Sequence, residues 1–495
     1  LISGVLTKEP SVAYQPDQTQ TLLWHDYETF GLDPRWDRPS QFAAIRTDLE
    51  FNPIGEPMMW YCRPADDYLP SAAACLVTGV TPQKALEEGL PEVEFMARIN
   101  AEMSQPGTCS LGYNSLRFDD EFTRFGLYRN LFDAYAREWQ GGNSRWDLID
   151  LVRTASAIRP EGINWPRNEN DELVLKLDQL APANGIEHVN AHDALADVRA
   201  TIELARVVKK AQPRLFNYVF QLKHKAQVWG QLDLQMRKPI LHVSGMYGRK
   251  QGYLSLVGAF AKHPSNNNGV LVFDLRQDPR QWQGYSAAQL QELMFSHKDQ
   301  LPADAVRPAV KEIHVNRCPV VAPLQTLGDE QAQQFGIDKR RCQAHLNYLQ
   351  EDDGLRQALL EAFGNRPEFP PVDPDAGLYG GGFFSDHDRK LMQKVHQQNP
   401  ETWNDAEFSF KDSRLEAMLF RLKARNYPDQ LTTDEMQAWE AFRAERLLDA
   451  TASGARTFDV FASELNALAQ NTTDPQSIAI LEELHMYAES IYPMS

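Results

Sequence analysis

The chain has no run of about 18 apolar residues, so no segment reads as a membrane-spanning helix. Its five cysteines (Cys62, Cys75, Cys109, Cys318 and Cys342) are scattered, odd in number and without a CxxC pair. That pattern argues against a disulfide framework and a cysteine zinc site, and points to a reducing compartment, read here as the cytoplasm. No internal repeat or low-complexity tract is present, which argues against a solenoid or a disordered scaffold. Residues 1–20 are polar and contain proline, with no apolar segment before a small-residue cleavage site. They are expected to be an extension rather than a secretory signal. Positive charge is also scarce, with 50 Lys and Arg against 68 Asp and Glu and a net charge of −18. Phosphate binding needs local positive potential, so a nucleic-acid enzyme of this composition must gather its basic residues in one groove.

What is present is globular: 42% hydrophobic and 24% charged residues over 495 positions, too long for one core. Leu22, Leu23 and Trp24 lead into His25-Asp26-Tyr27-Glu28-Thr29, which reads as a strand emerging at a polar edge. Val198, Ile202, Ala205 and Val208 recur at helical spacing up to about Ala211. Strands alternating with helices predict an α/β domain over residues 21–205. Residues 213–367 open on Pro213 and carry short β-rich stretches, at 241–243, 253–257 and 270–273, divided by Gly and Asn turns. Arg366–Gly382, rich in proline and glycine, reads as a linker. Residues 368–495 are helical: Leu415, Met418, Leu419 and Leu422 form one stripe, Thr432 and Glu435 a capping box, and Asp474-Pro475 a capped start.

Asp26 and Glu28 are two apart, so on a strand both carboxylates leave the same face. They repel unless a cation sits between them, and carboxylate oxygens suit Mg²⁺ or Mn²⁺. A solvated strand end is the plainer reading of this triplet alone. Asn114-Ser-Leu-Arg-Phe-Asp119 adds an acid after an apparent strand, with an ordinary acidic helix start as its alternative. His192-Asp-Ala-Leu-Ala-Asp197 is the last element. His192 and Asp197 converge only if His192 stands at the lip of a helix and Asp197 one turn inside, with Asp193 or Asn190 as the cap. D-x-E, N-x₃-F-D and H-x₄-D, in this order, form the pattern of the DEDDh exonuclease superfamily.

Longer blocks narrow the likeness. HDYETFG (25–31), RPSQFAAIRTD (38–48), RFDDE (117–121), NSRWDL (143–148), RPEGINWP (159–166) and ANGIEHVNAHDALAD (183–197) resemble the bacterial exonuclease I family. HVSGM (242–246), NRCPV (316–320) and GFFSD (382–386) carry the resemblance through nearly the whole chain. It implies an RNase H-like exonuclease domain with a mixed sheet and helices, then an SH3-like β-barrel domain and an all-helical C-terminal domain. It also implies a monomeric enzyme acting in DNA repair, which removes 5′-mononucleotides from the 3′ end of single-stranded DNA. Polarity and the choice of DNA over RNA come from the resemblance alone.

Asp26, Glu28, Asp119 and Asp197 match the family's metal set, for two Mg²⁺ ions with Mn²⁺ able to substitute. His192 matches the general base, an imidazole being suited to take a proton from water at neutral pH. Glu28, Thr29, Arg124, Tyr135, Trp139, Arg153, Lys176 and Tyr218 match strand-contacting positions, where cations and aromatic faces serve phosphates and bases. Core packing is the plainer reading of Tyr135 and Trp139, and a solvated surface that of Arg129 and Arg137. Arg159 and Tyr218 match a site for the acidic tail of single-stranded-DNA-binding protein. Gly380–Gly382 lacks a preceding strand and a P-loop lysine, and reads as a turn. Two rivals stand beside this reading: an exoribonuclease or proofreading exonuclease with the same five residues, and a non-catalytic single-strand-binding protein on a nuclease fold.

Overall fold

The computed structural model describes residues 20–188, 193–364, 373–403, 408–450 and 454–493. All but the last residue of the expected N-terminal extension lies outside them. β1 (Thr21–Thr29), β2 (Pro39–Thr47), β3 (Met58–Tyr61), β4 (Thr108–Gly112) and β5 (Ser144–Asp147) form a mixed sheet in the order β3-β2-β1-β4-β5. β1 and β2 pair antiparallel, as do β2 and β3; β4 runs parallel to β1 and to β5.

Alternation along the strands sorts side chains to two buried faces. Trp24, Ala43, Leu111 and Trp146 meet Val198, Ile202 and Ala205 on one side. Leu23, Tyr27, Phe42 and Ala44 meet Phe95, Met96 and Ile99 on the other. Three helices matter for the site: α1 (Asp119–Arg129), α2 (Leu148–Ile158) and α3 (Ala194–Ala211).

A second, antiparallel sheet has the order β10-β6-β7-β8-β9, from β6 (Ile240–Val243), β7 (Leu254–Lys262), β8 (Gly269–Asp274), β9 (Val310–His314) and β10 (Val320–Pro323). Packing does not break at Pro213. The helix Pro213–Gln221 turns Phe216 and Phe220 onto Trp146, and one apolar cluster runs from Leu22 to Phe363.

The third region is helical, with α4 (Ser413–Asn426), α5 (Thr433–Leu448), α6 (Phe458–Asn471) and α7 (Pro475–Ser490). Ser385, Thr432 and Asp474 cap helices where the sequence suggests. This region grips the first at two places. Met392, Leu415 and Met418 pack on Phe125, Tyr128 and Leu131, while Leu481, Leu484 and Tyr487 pack on Phe30, Tyr68 and Leu69. Between them lies a buried ionic knot. Arg425 Nη2 stands 2.7 Å from Asp67 and 2.6 Å from Asp375, with Arg446 and Arg421 beside them.

The linker expectation needs correction. Residues 365–372 lie outside the described residues, but Pro374–Tyr379 is a buried 3₁₀ turn. Asp375 is held in the ionic knot, and Leu378 sits in the apolar cluster around Phe125. From Pro374 onward the segment is a packed connector. Gly381 and Gly382 offer their carbonyls to Arg414, which fits a turn. Among the described residues, no helix is long and apolar enough to cross a membrane.

Candidate active site

β1 delivers Asp26 and Glu28 to one face of the sheet, and the first turn of α3 delivers Asp197. One oxygen from each of the three lies within 4.8 Å of the others. Asp193 caps α3, accepting from Leu195 and Ala196 N–H at 3.1 Å each, and this fixes where the first turn begins. Asp119 opens α1 and is buried; its Oδ1 accepts from Tyr27 N–H at 3.0 Å, which ties it to β1 beside Asp26. The approach is close because position 112 is glycine. A Cβ there would stand 2.5 Å from the His25 carbonyl. His192 lies outside the described residues.

The loop before Asp119 is held from below. Asp147 Oδ1 accepts from Asn114 N–H at 2.8 Å and Ile149 N–H at 3.0 Å, and its Oδ2 from Leu116 N–H at 3.1 Å. Asp120 is neither solvated nor catalytic: it is buried and bridges Arg137 at 2.9 Å and Arg145 at 2.6 Å. Sequence spacing shows these acids but not their partners, which come from distant segments.

The four carboxylates resist ionising together. Burial, then Asp119, Glu28 and Asp197, pushes Asp26 well above the usual carboxylate range. Burial and then Asp197 and Asp119 push Glu28 up to about 9. Burial likewise drives Asp119 well up. Among the described residues, Asp26, Glu28 and Asp119 form no ion pair with Lys or Arg. Hard oxygen donors with mutual repulsion and no resident cation fit divalent metal ions.

A thermodynamic consequence follows. Glu28 binds its proton more tightly folded than unfolded, so over the window from about 4.5 to about 9 it holds a proton that it lacks in the unfolded chain. Its contribution to the stability of the metal-free protein therefore falls as pH rises through that window. Metal binding displaces those protons, so the stabilisation added by a divalent ion should grow with pH. Thermal unfolding in EDTA and in millimolar Mg²⁺, from pH 6 to pH 9, should show a widening gap; a constant gap would contradict the electrostatics.

The remaining positions separate into groups. Trp139 is 65% exposed and so is no core residue. Tyr135 is half-buried, stacked under Arg124 and against the edge of Phe383. Arg124 is buried, with its guanidinium on Glu138 and Glu121 at 2.7 Å each and on the Tyr379 hydroxyl at 3.1 Å. Thr29 is buried and donates to the Gly31 carbonyl at 2.6 Å. Arg153 pairs with Asp150 and lies over the Tyr253 ring, and Lys176 is exposed ahead of the helix Leu177–Ala183. The solvated reading of Arg129 and Arg137 is wrong. Each is about 1% exposed, because Glu92 and Asp120 await them inside. Tyr218 donates to the Val321 carbonyl at 2.7 Å and shares a depression with Arg159, Arg214 and Thr326, none of them near the carboxylates in sequence.

A groove of about 900 Å³ opens between the first region and the second sheet, lined by Arg117 and Asp150 on one wall and Arg276, Lys311 and Arg317 on the other. Lys311 Nζ is buried against the Tyr247 ring and has no hydrogen-bond partner among the described residues. Sequence periodicity gave no sign of these cations as a group.

Comparison with known proteins agrees with this architecture. Family models described as Exonuclease, Exonuclease I SH3-like domain and Exonuclease I C-terminal domain match residues 23–205, 223–365 and 372–491. Exodeoxyribonuclease I of Escherichia coli K12 is 45% identical over 476 residues, spanning 96% of this chain and 98% of that protein. The crystal structure of E. coli exonuclease I in complex with a dA16 oligonucleotide superposes with a TM-score of 0.91 at 45% identity, over 96% of this chain and 100% of that one. That of SSB/exonuclease I in complex with the inhibitor CFAM gives 0.89 at 43% identity, over 96% and 100%. With three family models in order along its length and a relative this close, the chain is a nuclease of the exonuclease I family.

Proposed function

We propose that this chain is a 3′→5′ exodeoxyribonuclease that hydrolyses single-stranded DNA to 5′-mononucleotides and serves DNA repair. The observation that carries the reading is the convergence of Asp26, Glu28 and Asp197. These three and Asp119 would hold two Mg²⁺ ions, with Mn²⁺ substituting. Bound there, the ions supply charge neutralisation at the scissile phosphate and a water activated at neutral pH. The protein fixes the carboxylates on a rigid strand and two helix starts, so they need no rearrangement when charge develops. His192 takes the proton of the attacking water at an imidazole nitrogen. His192→Ala should lower the single-turnover rate by roughly 10²–10⁴-fold and leave strand binding nearly unchanged. Lost binding with an unchanged single-turnover rate would make His192 a contact residue instead.

The substrate path is read from the groove. Arg117 and Arg317, half-exposed at the groove, offer positive charge to phosphates, while Trp139, Tyr135 and Phe383, outside the groove, offer faces to bases. Arg153, Lys176, Arg124 and Thr29 are assigned to the same path; without DNA, Arg153 is held by Asp150, Arg124 by Glu138 and Glu121, and Thr29 by the Gly31 carbonyl. Glu121 in α1 is met by Arg317 of the second region and Tyr379 of the third. The later regions thus converge over α1, which supports a strand enclosed rather than gripped. Arg159 and Tyr218 line a separate depression suited to the acidic tail of single-stranded-DNA-binding protein. The enzyme is read as a monomer in the cytoplasm, consistent with five buried, unpaired cysteines.

The family models over residues 223–365 and 372–491 weigh against a proofreading or exoribonuclease reading. Product analysis tests the proposal: with Mg²⁺, single-stranded DNA labelled at its 5′ end should shorten stepwise, and the same strand labelled at its 3′ end should release labelled mononucleotide at once. Preference for RNA, or stepwise shortening of the 3′-labelled strand, would overturn it.

A further inference from the structure

His188 stands four residues before His192, inside the block 183–197, and no reading above gives it a role. Its side chain is 1% exposed, and its Nε2 lies 2.5 Å from Asp197 Oδ1. Its other ring nitrogen is buried and has no hydrogen-bond partner among the described residues. The imidazole is thus buried, with its one recorded polar contact directed at this carboxylate. We propose that His188 is a positioning residue, whose Nε2–H orients the Asp197 carboxylate toward the cation it helps to hold.

The physical case rests on what else could sit there. A carboxylate at the start of a helix rotates freely about its side-chain bonds unless something fixes an oxygen. Lysine or arginine would fix it but would also neutralise it, and would compete with a divalent ion for its charge. An imidazole N–H donates one hydrogen bond without the permanent charge of a guanidinium. Hydrogen-bond donors behind metal ligands typically contribute 10–100-fold in metal affinity or activity. Burial adds to the effect, because the ring cannot turn away into water.

This inference rests on the reading of Asp197 as a metal carboxylate, so the test separates the two. Mn²⁺ binding to the DNA-free protein would be measured by titration calorimetry for wild type, His188→Leu, His188→Gln and Asp197→Asn, with the thermal midpoint in EDTA as a check on folding. Leucine fills the volume without a donor, whereas the glutamine amide can restore an N–H to the same oxygen. The expected result is Mn²⁺ affinity about 10–100-fold weaker in His188→Leu, and within a few-fold of wild type in His188→Gln. Wild-type affinity in His188→Leu, or equal weakening in both His188 variants, overturns the proposal. Undiminished binding in Asp197→Asn would instead sink the metal reading itself.

Discussion

Asp26→Asn is expected to lower turnover at saturating Mg²⁺ by roughly 10²–10³-fold or more, the scale of losing a preorganised electrostatic contact, while raising the thermal midpoint of the metal-free protein. Both effects have one cause. Asp26 is pressed by Asp119, Glu28 and Asp197 in a buried setting, which drives its proton affinity well above the ordinary range. That repulsion is a cost in the metal-free fold and an asset once cations arrive. Asparagine keeps the shape and removes the charge, so it relieves the cost and forfeits the asset. Turnover assays and thermal unfolding in EDTA read the two signs separately. A variant that turned over like wild type, or that was destabilised without metal, would contradict this account of the cluster.

Arg425→Ala is expected to be the most destabilising single change away from the site, by about 3–5 kcal/mol. Arg425 is buried between Asp67 of the first region and Asp375 of the connector, bonding to both carboxylates. Its removal leaves two buried acids sharing Arg446 and Arg421, a poorer match of charge and geometry. Arg425→Lys should recover only part of the loss, since an ammonium lacks the planar fork that serves both partners. Asp67 and Asp375 are held well below the usual carboxylate range by these arginines despite their burial. Their contribution is therefore full above the ordinary carboxylate range and is lost as pH falls below it. Denaturant unfolding should show the lower stability. Unchanged stability would mean that the apolar contacts at Phe125 and Tyr68 alone seat the helical region.

What the sequence makes legible follows physical range. Strands with period-two or continuous apolar patterns, such as β1, β7 and β8, stand out, and so do helices announced by Ser385, Thr432 and Asp474. β5 does not, because Ser-Arg-Trp-Asp is polar by composition; its burial comes from Phe216 and Phe220 on Trp146 and from Asp120, Asn316 and Cys318 around Arg145. The connector 374–379 reads as a linker because proline and glycine look the same in a packed turn as in a loose one. At the site, Asp26 and Glu28 are legible as a pair since strand geometry alone puts them on one face. Asp147 and Asp120 are not, for their roles are set mainly by partners in other elements, Asn114 and Leu116 for Asp147 and Arg137 and Arg145 for Asp120. His188 escapes notice because the H-x₄-D spacing picks out His192, and a histidine nine residues before Asp197 fits no motif. Arg124 shows the same limit from the other side: a cation beside aromatics suggests DNA contact, while the sequence does not show that Glu138 and Glu121 lie against its guanidinium.

The central claim is that Asp26, Glu28, Asp119 and Asp197 form one metal-holding centre at which a DNA 3′ end is cut. Anomalous diffraction from crystals grown with Mn²⁺ and a short single-stranded oligonucleotide tests it most directly. The expected map has Mn²⁺ peaks bounded by these four carboxylates, about 3.5–4 Å apart where two ions are bound, with the 3′-terminal phosphodiester against them. Manganese bound elsewhere, or a 3′ end seated away from these four residues at saturating Mn²⁺, would contradict it.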